Sequence, residues 1–113
     1  MTSSPESFPL PSPEAVADLE SQAHAAARMM KLLSSEARLV LMCRLMEGEA
    51  SVGELAAYAR SSQTAASQHL AKLRAEGVVA YRREAQTLYY RLTDPDALRV
   101  LDTLCDIYSS KRA

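Results

Sequence analysis

The chain has few of the residues that build β-proteins and disulfide scaffolds. Its 113 residues include three glycines, two cysteines and no tryptophan. No Asn-Gly or Asp-Gly pair marks a tight hairpin turn, which argues against an all-β fold. Two cysteines are too few for a disulfide scaffold, and no apolar run approaches the ~18 residues of a membrane span. The N-terminus has no basic, apolar signal segment, so we expect a cytoplasmic protein without membrane contact.

The residues that are abundant favour helices in one small domain. Hydrophobic residues make up 48% of the chain, enough to bury a core, and good helix formers such as Ala, Leu, Glu and Arg are frequent. Residues 1–13 hold four of the five prolines and are predicted to form a flexible tail. Residues 14–113 are predicted to form a single folded domain.

Capping residues and hydrophobic spacing predict five helices and one hairpin. Pro13 after Ser12, Ser35, the Ser51/Glu54 capping box and the Thr93/Asp96 pair are predicted helix starts. The predicted helices cover residues 13 to about 33, 36 to about 48, 52 to about 60, 63 to about 77 and a last one after Thr93; the predicted strands are 78–83 and 87–92.

Apolar stripes at helical spacing mark the faces that we expect to be buried. Cys43 belongs to the stripe of the second helix and Cys105 to that of the last. The three predicted stripes are Leu39, Met42, Cys43 and Met46; Ala66, Leu70 and Leu73; and Leu98, Leu101, Leu104, Cys105 and Tyr108.

A short helix, a tight turn and a longer helix with a polar outer face are typical of a helix-turn-helix, and a basic hairpin after it is typical of a wing. We therefore predict a mainly α winged helix-turn-helix with the order α-α-α-α-β-β-α. Although the net charge is −1, residues 70–91 carry five basic side chains against two acidic ones. Such a local basic face binds phosphates even on an acidic protein.

The stretch SSQTAASQHLAKLRAEGVV predicts how this domain would contact double-stranded DNA. Small and amide side chains permit close approach to the major groove, where glutamine pairs with adenine and Ser or Thr contacts bases or phosphates. Basic side chains reach the backbone or the minor groove. The alternative is an ordinary solvated helix and hairpin. The predicted contacts are Ser62, Gln63, Thr64, Ser67, Gln68, Lys72, Arg82 and Arg83.

Two stretches, LLSSEARLVLMCRLMEGEASVGELA and SSQTAASQHLAKLRAEGVVAYRREAQTLYYRL, resemble the ArsR/SmtB family. Its members are dimeric winged-helix repressors that leave DNA when an inducer binds. The resemblance covers roughly residues 25–109 and implies operator DNA as a partner and a homodimer formed through the first and last helices. It also implies that His69 lies beside DNA, although helix packing is an equal alternative. Gln86 of the hairpin is a further predicted DNA contact.

Metal sensing, the best-known role in this family, is not expected. The family's metal sites use a cysteine pair near the ELA segment, which is absent here, or Asp and His ligands on the last helix, which has no histidine. A zinc site needs about four ligands, commonly Cys or His. With two cysteines and two histidines scattered along the chain, we expect neither a metal nor another cofactor.

The segments SVGELA, SQHLAKLR and REAQTLYYRL are most similar to the SqrR/BigR/HlyU branch, which responds to sulfide-derived sulfur. Its members carry a cysteine on the second helix and another near the end of the last. Persulfides link the two within a subunit, and DNA affinity falls. Cys43 matches the first position, but Ser109 occupies the second, and Cys105 stands one helical turn earlier, ~6 Å along the axis.

Three alternatives remain for the signal. Cys105 replaces the missing thiol, Ser109 is an engineered replacement that freezes the reduced form, or the regulator responds to a metal ion, an oxidant or a small molecule while both cysteines are buried. The working hypothesis is a dimeric repressor that releases its operator when a persulfide or another thiol-reactive species modifies Cys43 and Cys105. No catalytic grouping or glycine-rich phosphate loop indicates an enzyme.

Overall fold

The computed structural model describes residues 9–109, and within them the chain divides into two compact units between Lys31 and Leu32. Residues 1–8 of the predicted tail therefore lie outside the described part. The helices are α1 (Pro13–Ser21), α2 (Ala23–Leu33), α3 (Glu36–Leu45), α4 (Val52–Ala59), α5 (Gln63–Ala75) and α6 (Pro95–Ser109), and the strands are β1 (Ala50–Ser51), β2 (Val79–Glu84) and β3 (Thr87–Leu92).

The first unit shows that the single helix predicted from Pro13 to Leu33 is wrong, because the helix is interrupted at Gln22. Its start is as predicted: the Ser12 hydroxyl accepts from the Ala15 N–H at 3.1 Å, and Pro13 is the first helical residue. At its end, the Ser21 hydroxyl donates to the Asp18 carbonyl at 2.8 Å. A serine hydroxyl that donates to a backbone carbonyl in this way competes with the hydrogen bonds that would continue the helix.

The core of the second unit lies where α3, α4 and α5 pack together. Ser35 caps α3 as predicted, and the predicted buried stripe of α5 is confirmed, since Ala66, Leu70 and Leu73 have no exposed surface. The predicted α3 stripe is wrong except for Met42. The buried residues of α3 are Leu41, Met42 and Leu45, because this helix is apolar around much of its circumference and its spacing does not select one face.

The sheet contains a strand that the sequence patterns did not predict. Its order is β1-β3-β2, all antiparallel, and Ala50 and Ser51 of β1 pair with Tyr90 and Tyr89 of β3. A two-residue strand is too short to show a periodicity. In the predicted hairpin, Glu84 pairs with Thr87, so the turn has two residues, and Ala85 adopts a left-handed φ of 55°.

The last helix begins differently from the prediction. The Asp94 carboxylate accepts from the Asp96 N–H at 2.9 Å, while the Thr93 hydroxyl donates to the Gly77 carbonyl at 3.2 Å. The predicted Thr93/Asp96 cap is therefore wrong, because Thr93 fastens the end of β3 to the loop before β2. No helix in residues 9–109 is long and apolar enough to cross a membrane.

Much of the predicted apolar stripe on α6 is exposed in the single chain. Leu101 is buried and Leu104 is half-buried, but Leu98 is 43% exposed, Tyr108 is 66% exposed and Cys105 is exposed. Within the described part of the chain, α6 therefore leaves several apolar side chains exposed.

Candidate nucleic-acid interface

Two serine caps set the geometry of the helix-turn-helix formed by α4 and α5. The predicted capping box is confirmed: the Ser51 hydroxyl accepts from the Glu54 N–H at 3.1 Å, and the Glu54 carboxylate accepts from the Ser51 N–H at 2.8 Å. Arg60 ends α4 with a left-handed φ of 55°, and the Ser62 hydroxyl accepts from the Ala65 N–H at 3.0 Å. The hydroxyl proton of Ser62 remains available to donate.

The outer face of α5 is exposed and free of bulky side chains. Since the core residues of α5 recur at helical spacing, Thr64, Gln68 and Lys72 lie on the opposite side, and all three are exposed. The predicted contact residues of this helix are thus accessible, apart from His69.

A polar cleft between α5 and the hairpin brings three of the predicted residues together. Gln63 and Ser67 of α5 and Gln86 of the turn line this cleft of about 390 Å³. Ser51 and Thr87 line it as well, and sequence reasoning missed both. Their position depends on the pairing of β1 with β3, which no local pattern revealed.

His69 lies on the other flank of α5. It is half-buried and lines an apolar groove of about 440 Å³ with Val40 of α3 and Ala59 of α4. It is therefore between the core face and the exposed face of the helix, and its contact with DNA stays a prediction.

The two predicted wing arginines have different surroundings. Arg82 is bound to two carboxylates: its guanidinium lies 2.9 Å from Glu49 and 2.8 Å from Glu84. The hydrogen bond from Arg82 lowers the pKa of Glu49. Arg83 is exposed and forms no ion pair with any residue between 9 and 109, so its charge is available to a partner.

Arg74, a third basic residue near the wing, packs on an aromatic ring. The Arg74 guanidinium lies 4.6 Å from the centre of the Tyr81 ring, which fastens the end of α5 to β2. Arg74 and Arg82 are therefore already held by contacts within the protein.

The two cysteines are free thiols in different environments. Cys43 is half-buried on α3 and Cys105 is exposed on α6, so the alternative with both thiols buried does not hold for Cys105 in the single chain. Burial raises the pKa of Cys43, and the charge of Cys105 raises it further, so the two thiols are within electrostatic reach. Cys105 and Ser109 line the same shallow depression on α6.

The described residues offer little to a metal ion. Between residues 9 and 109, no three His, Cys, Asp or Glu side chains converge as metal ligands would.

Comparison with known proteins identifies the family. Residues 35–81 match the bacterial regulatory protein, arsR family. The transcriptional activator HlyU of Vibrio cholerae is 38% identical over 91 residues, which cover 80% of this chain and 84% of the relative. The chain belongs to the ArsR family. The ArsR-type chain is also 42% identical over 100 residues to the nodulation protein NolR of Rhizobium meliloti, covering 88% and 78% of the two.

The solved structures confirm the predicted winged-helix fold of this ArsR-family chain. The transcriptional repressor BigR from Xylella fastidiosa superposes with a TM-score of 0.78 at 40% identity, over 81% of this chain and 94% of that structure. The predicted resemblance to the HlyU and BigR type is likewise confirmed. The protein is a DNA-binding transcriptional regulator and not an enzyme.

Proposed function

We propose that this ArsR-family regulator is a homodimeric repressor that releases its operator when a persulfide links Cys43 to Cys105. The observation that carries the proposal is the electrostatic coupling of a half-buried thiol on α3 to an exposed thiol on α6. An exposed thiol accepts the reagent, and a nearby second thiol resolves the product.

Operator contact is assigned to the exposed outer face of α5, the cleft beside it and the tip of the wing. Amide and hydroxyl groups there form hydrogen bonds with base edges, while Lys72 and Arg83 contact phosphates. The proposed contacts are Ser62, Gln63, Thr64, Ser67, Gln68, Lys72, Arg83 and Gln86.

Dimerisation is supported by the apolar side chains that the first and last helices expose. On α6, Leu98 and Tyr108 are 43% and 66% exposed, and on α1, Val16 and Leu19 are 44% and 60% exposed. Burying such side chains against a second copy is favourable, by roughly 25 cal/mol per Å² of apolar surface. A dimer also presents two α5 helices to two half-sites one DNA turn apart, ~34 Å.

The thiol chemistry takes place in two balanced steps. The Cys105 thiolate attacks the terminal sulfur of a persulfide R–S–SH, which forms Cys105–S–SH and releases R–S⁻. The Cys43 thiolate then attacks Sγ of Cys105 and expels HS⁻, leaving a disulfide. The two protein thiols lose two electrons, and the persulfide gains them as it becomes a thiolate and hydrosulfide. If Cys43 first takes the terminal sulfur of a second R–S–SH and releases R–S⁻, its perthiolate Cys43–S–S⁻ attacks Sγ of Cys105 and expels HS⁻, which leaves a trisulfide bridge.

The link would act on DNA affinity through α3. This helix packs directly on α4 and α5, while α6 carries the proposed dimer surface. Tying α3 to α6 therefore changes how the reading helices sit relative to the dimer axis. A shift of a few kcal/mol between two such arrangements is sufficient to empty an operator.

The test is release of a labelled duplex, first selected on the reduced wild-type protein, after treatment with glutathione persulfide. We expect wild type to dissociate and Cys43→Ser and Cys105→Ser each to remain bound. Ser109→Ala is the matched control, because it changes the same surface of α6 and keeps both thiols. If either cysteine variant still releases the duplex, release does not require the link between Cys43 and Cys105. If wild type stays bound, the signal is a metal ion, another oxidant or a small molecule.

A further inference from the structure

The two neighbouring arginines of the wing point to opposite faces of the hairpin. Successive side chains of a strand alternate between faces. Arg83 pairs with Leu88 and shares its face with Tyr81, which packs under Arg74 of α5, so this is the face turned towards α5. Arg82 pairs with Tyr89 on the other face.

The Arg82 side chain reaches from β2 across β3 to Glu49, the residue before β1. Starting from β2, its guanidinium lies over the ring of Tyr89 on β3, 4.6 Å from the ring centre. Beyond that ring it donates from Nε to both carboxylate oxygens of Glu49, at 3.1 and 3.0 Å, and from a terminal nitrogen at 2.9 Å. Its remaining terminal nitrogen donates to Glu84 at 2.8 Å. We call Arg82, Glu49, Glu84 and Tyr89 the wing clamp.

The wing clamp joins the hairpin to the start of the helix-turn-helix. Glu49 directly precedes β1, and the next residues lead to Ser51, which caps α4. Ser51 and Arg82 are both register partners of Tyr89, one on each side of β3. A displacement of the wing is therefore transmitted to the residue that fixes where α4 begins.

The ion pairs of the wing clamp oppose a direct contact of Arg82 with DNA. Its guanidinium already faces two carboxylates, and the charge of Arg91 also acts on one of them, Glu49. For Arg82 to bind a phosphate, it would have to give up charge-assisted hydrogen bonds to both carboxylates. Arg83 has no such partners among the described residues.

We propose that Arg82 is a positioning residue that holds the wing against the helix-turn-helix through Glu49, and that of the two neighbouring arginines it is Arg83 that contacts a phosphate. This rests on the proposed operator binding and revises the role predicted for Arg82. The assignment gives the two neighbouring arginines opposite signatures in salt-dependent binding.

The experiment compares Arg82→Gln, Glu49→Gln and the matched control Arg83→Gln. Binding to the duplex selected on wild type is measured as affinity against salt concentration. We expect the Arg82 and Glu49 variants each to weaken binding by about twofold to fivefold, the range that an exposed ion-pair network supports, with an unchanged salt slope. Arg83→Gln should lower the log–log slope by about 0.9, as for one lost phosphate contact.

Two further readouts separate positioning from general stability. The double variant Glu49→Gln/Arg82→Gln should be no weaker than either single variant, because both remove the same link. The swapped pair Glu49→Arg/Arg82→Glu should recover part of the lost affinity, because it restores the link between positions 49 and 82 but places a carboxylate beside Glu84. A lost phosphate contact at position 82 would instead make the swap the weakest binder.

The proposal is overturned if Glu49→Gln strengthens binding while Arg82→Gln lowers the salt slope, since Glu49 would then be withholding a phosphate ligand. Failure of the operator proposal looks different. In that case the wild-type protein itself yields no selected duplex and shows no salt-dependent binding.

Discussion

The Cys105 thiol on α6 lies close enough to Cys43 on α3 for its charge to contribute to a raised pKa at Cys43. Burial is the larger cause of this shift. The raised pKa makes Cys43 a slower nucleophile near neutral pH than an ordinary cysteine, and the exposed Cys105 is the more accessible target for a reagent. This asymmetry fits a pair in which one sulfur is modified first and the other resolves.

The coupling predicts how Cys43 responds to pH in a variant without its partner. Cys105→Ser removes the smaller cause of the shift, so the pKa of Cys43 falls towards its ordinary value but stays above it because burial persists. We expect iodoacetamide labelling of Cys43, followed by peptide mass spectrometry, to rise with pH earlier in Cys105→Ser than in wild type. Coincident labelling profiles in the two proteins would show that the thiols do not interact.

Ser109 allows a direct test of whether Cys105 replaces the thiol that the family has one helical turn later. Because Ser109 and Cys105 line the same depression on α6, a cysteine at either position is on the side that the switch would use. We expect Cys105→Ser/Ser109→Cys to regain persulfide-driven bridging to Cys43, seen by intact mass and peptide mapping after treatment. The control is Cys105→Ser alone, which cannot bridge within a subunit. If the double variant bridges and wild type does not, the family's position is competent and Cys105 is not a sensor.

The capping box predicts a stability effect at the start of α4. Ser51→Ala leaves the Glu54 N–H without its acceptor and should lower the free energy of unfolding by about 1 kcal/mol. Hydrogen bonds to Ser51 lower the pKa of Glu54. Their contribution is present above pH 4.5, the ordinary value of a glutamate, and is lost as the pH falls through the folded pKa.

Urea unfolding of Ser51→Ala at neutral pH and at pH 3 measures both effects. The difference from wild type should shrink at the lower pH, because protonation of Glu54 removes the part of the capping box that depends on its carboxylate. Ser67→Ala serves as the control, since Ser67 lines the same cleft and caps no helix. An equal loss of stability in the control would show that the cap contributes nothing of its own.

Local chemistry explains which parts of the fold could be predicted. The caps at Ser12, Ser35 and Ser51 depend on residues three positions apart, and the buried stripe of α5 on residues within three turns, so short windows contain the information. The same short windows gave a wrong cap at Thr93, because its hydroxyl donates to the carbonyl of Gly77, 16 positions earlier in the chain.

The missing parts of the site are those that depend on distant pairing. Strand β1 is two residues long and exists only because it pairs with β3. One partner of Arg82 is Glu49, 33 positions away, so a sequence window around the arginine contains Glu84 but not the second carboxylate that binds it. Local patterns predict which residues bear the chemistry, but not which of the charges are already neutralised.

The outer face of α5 predicts opposite behaviour for Gln68 and Lys72. Gln68 is expected to read a base edge, so Gln68→Ala should cost about 1–3 kcal/mol on the selected duplex and relax preference at one position. Lys72 is expected to meet a phosphate, so Lys72→Gln should weaken all duplexes alike and lower the salt slope by about 0.9. Arg99→Gln on α6 is the control with the same charge change. If that control lowers the slope as Lys72→Gln does, the effect reflects net charge, and Lys72 makes no specific phosphate contact.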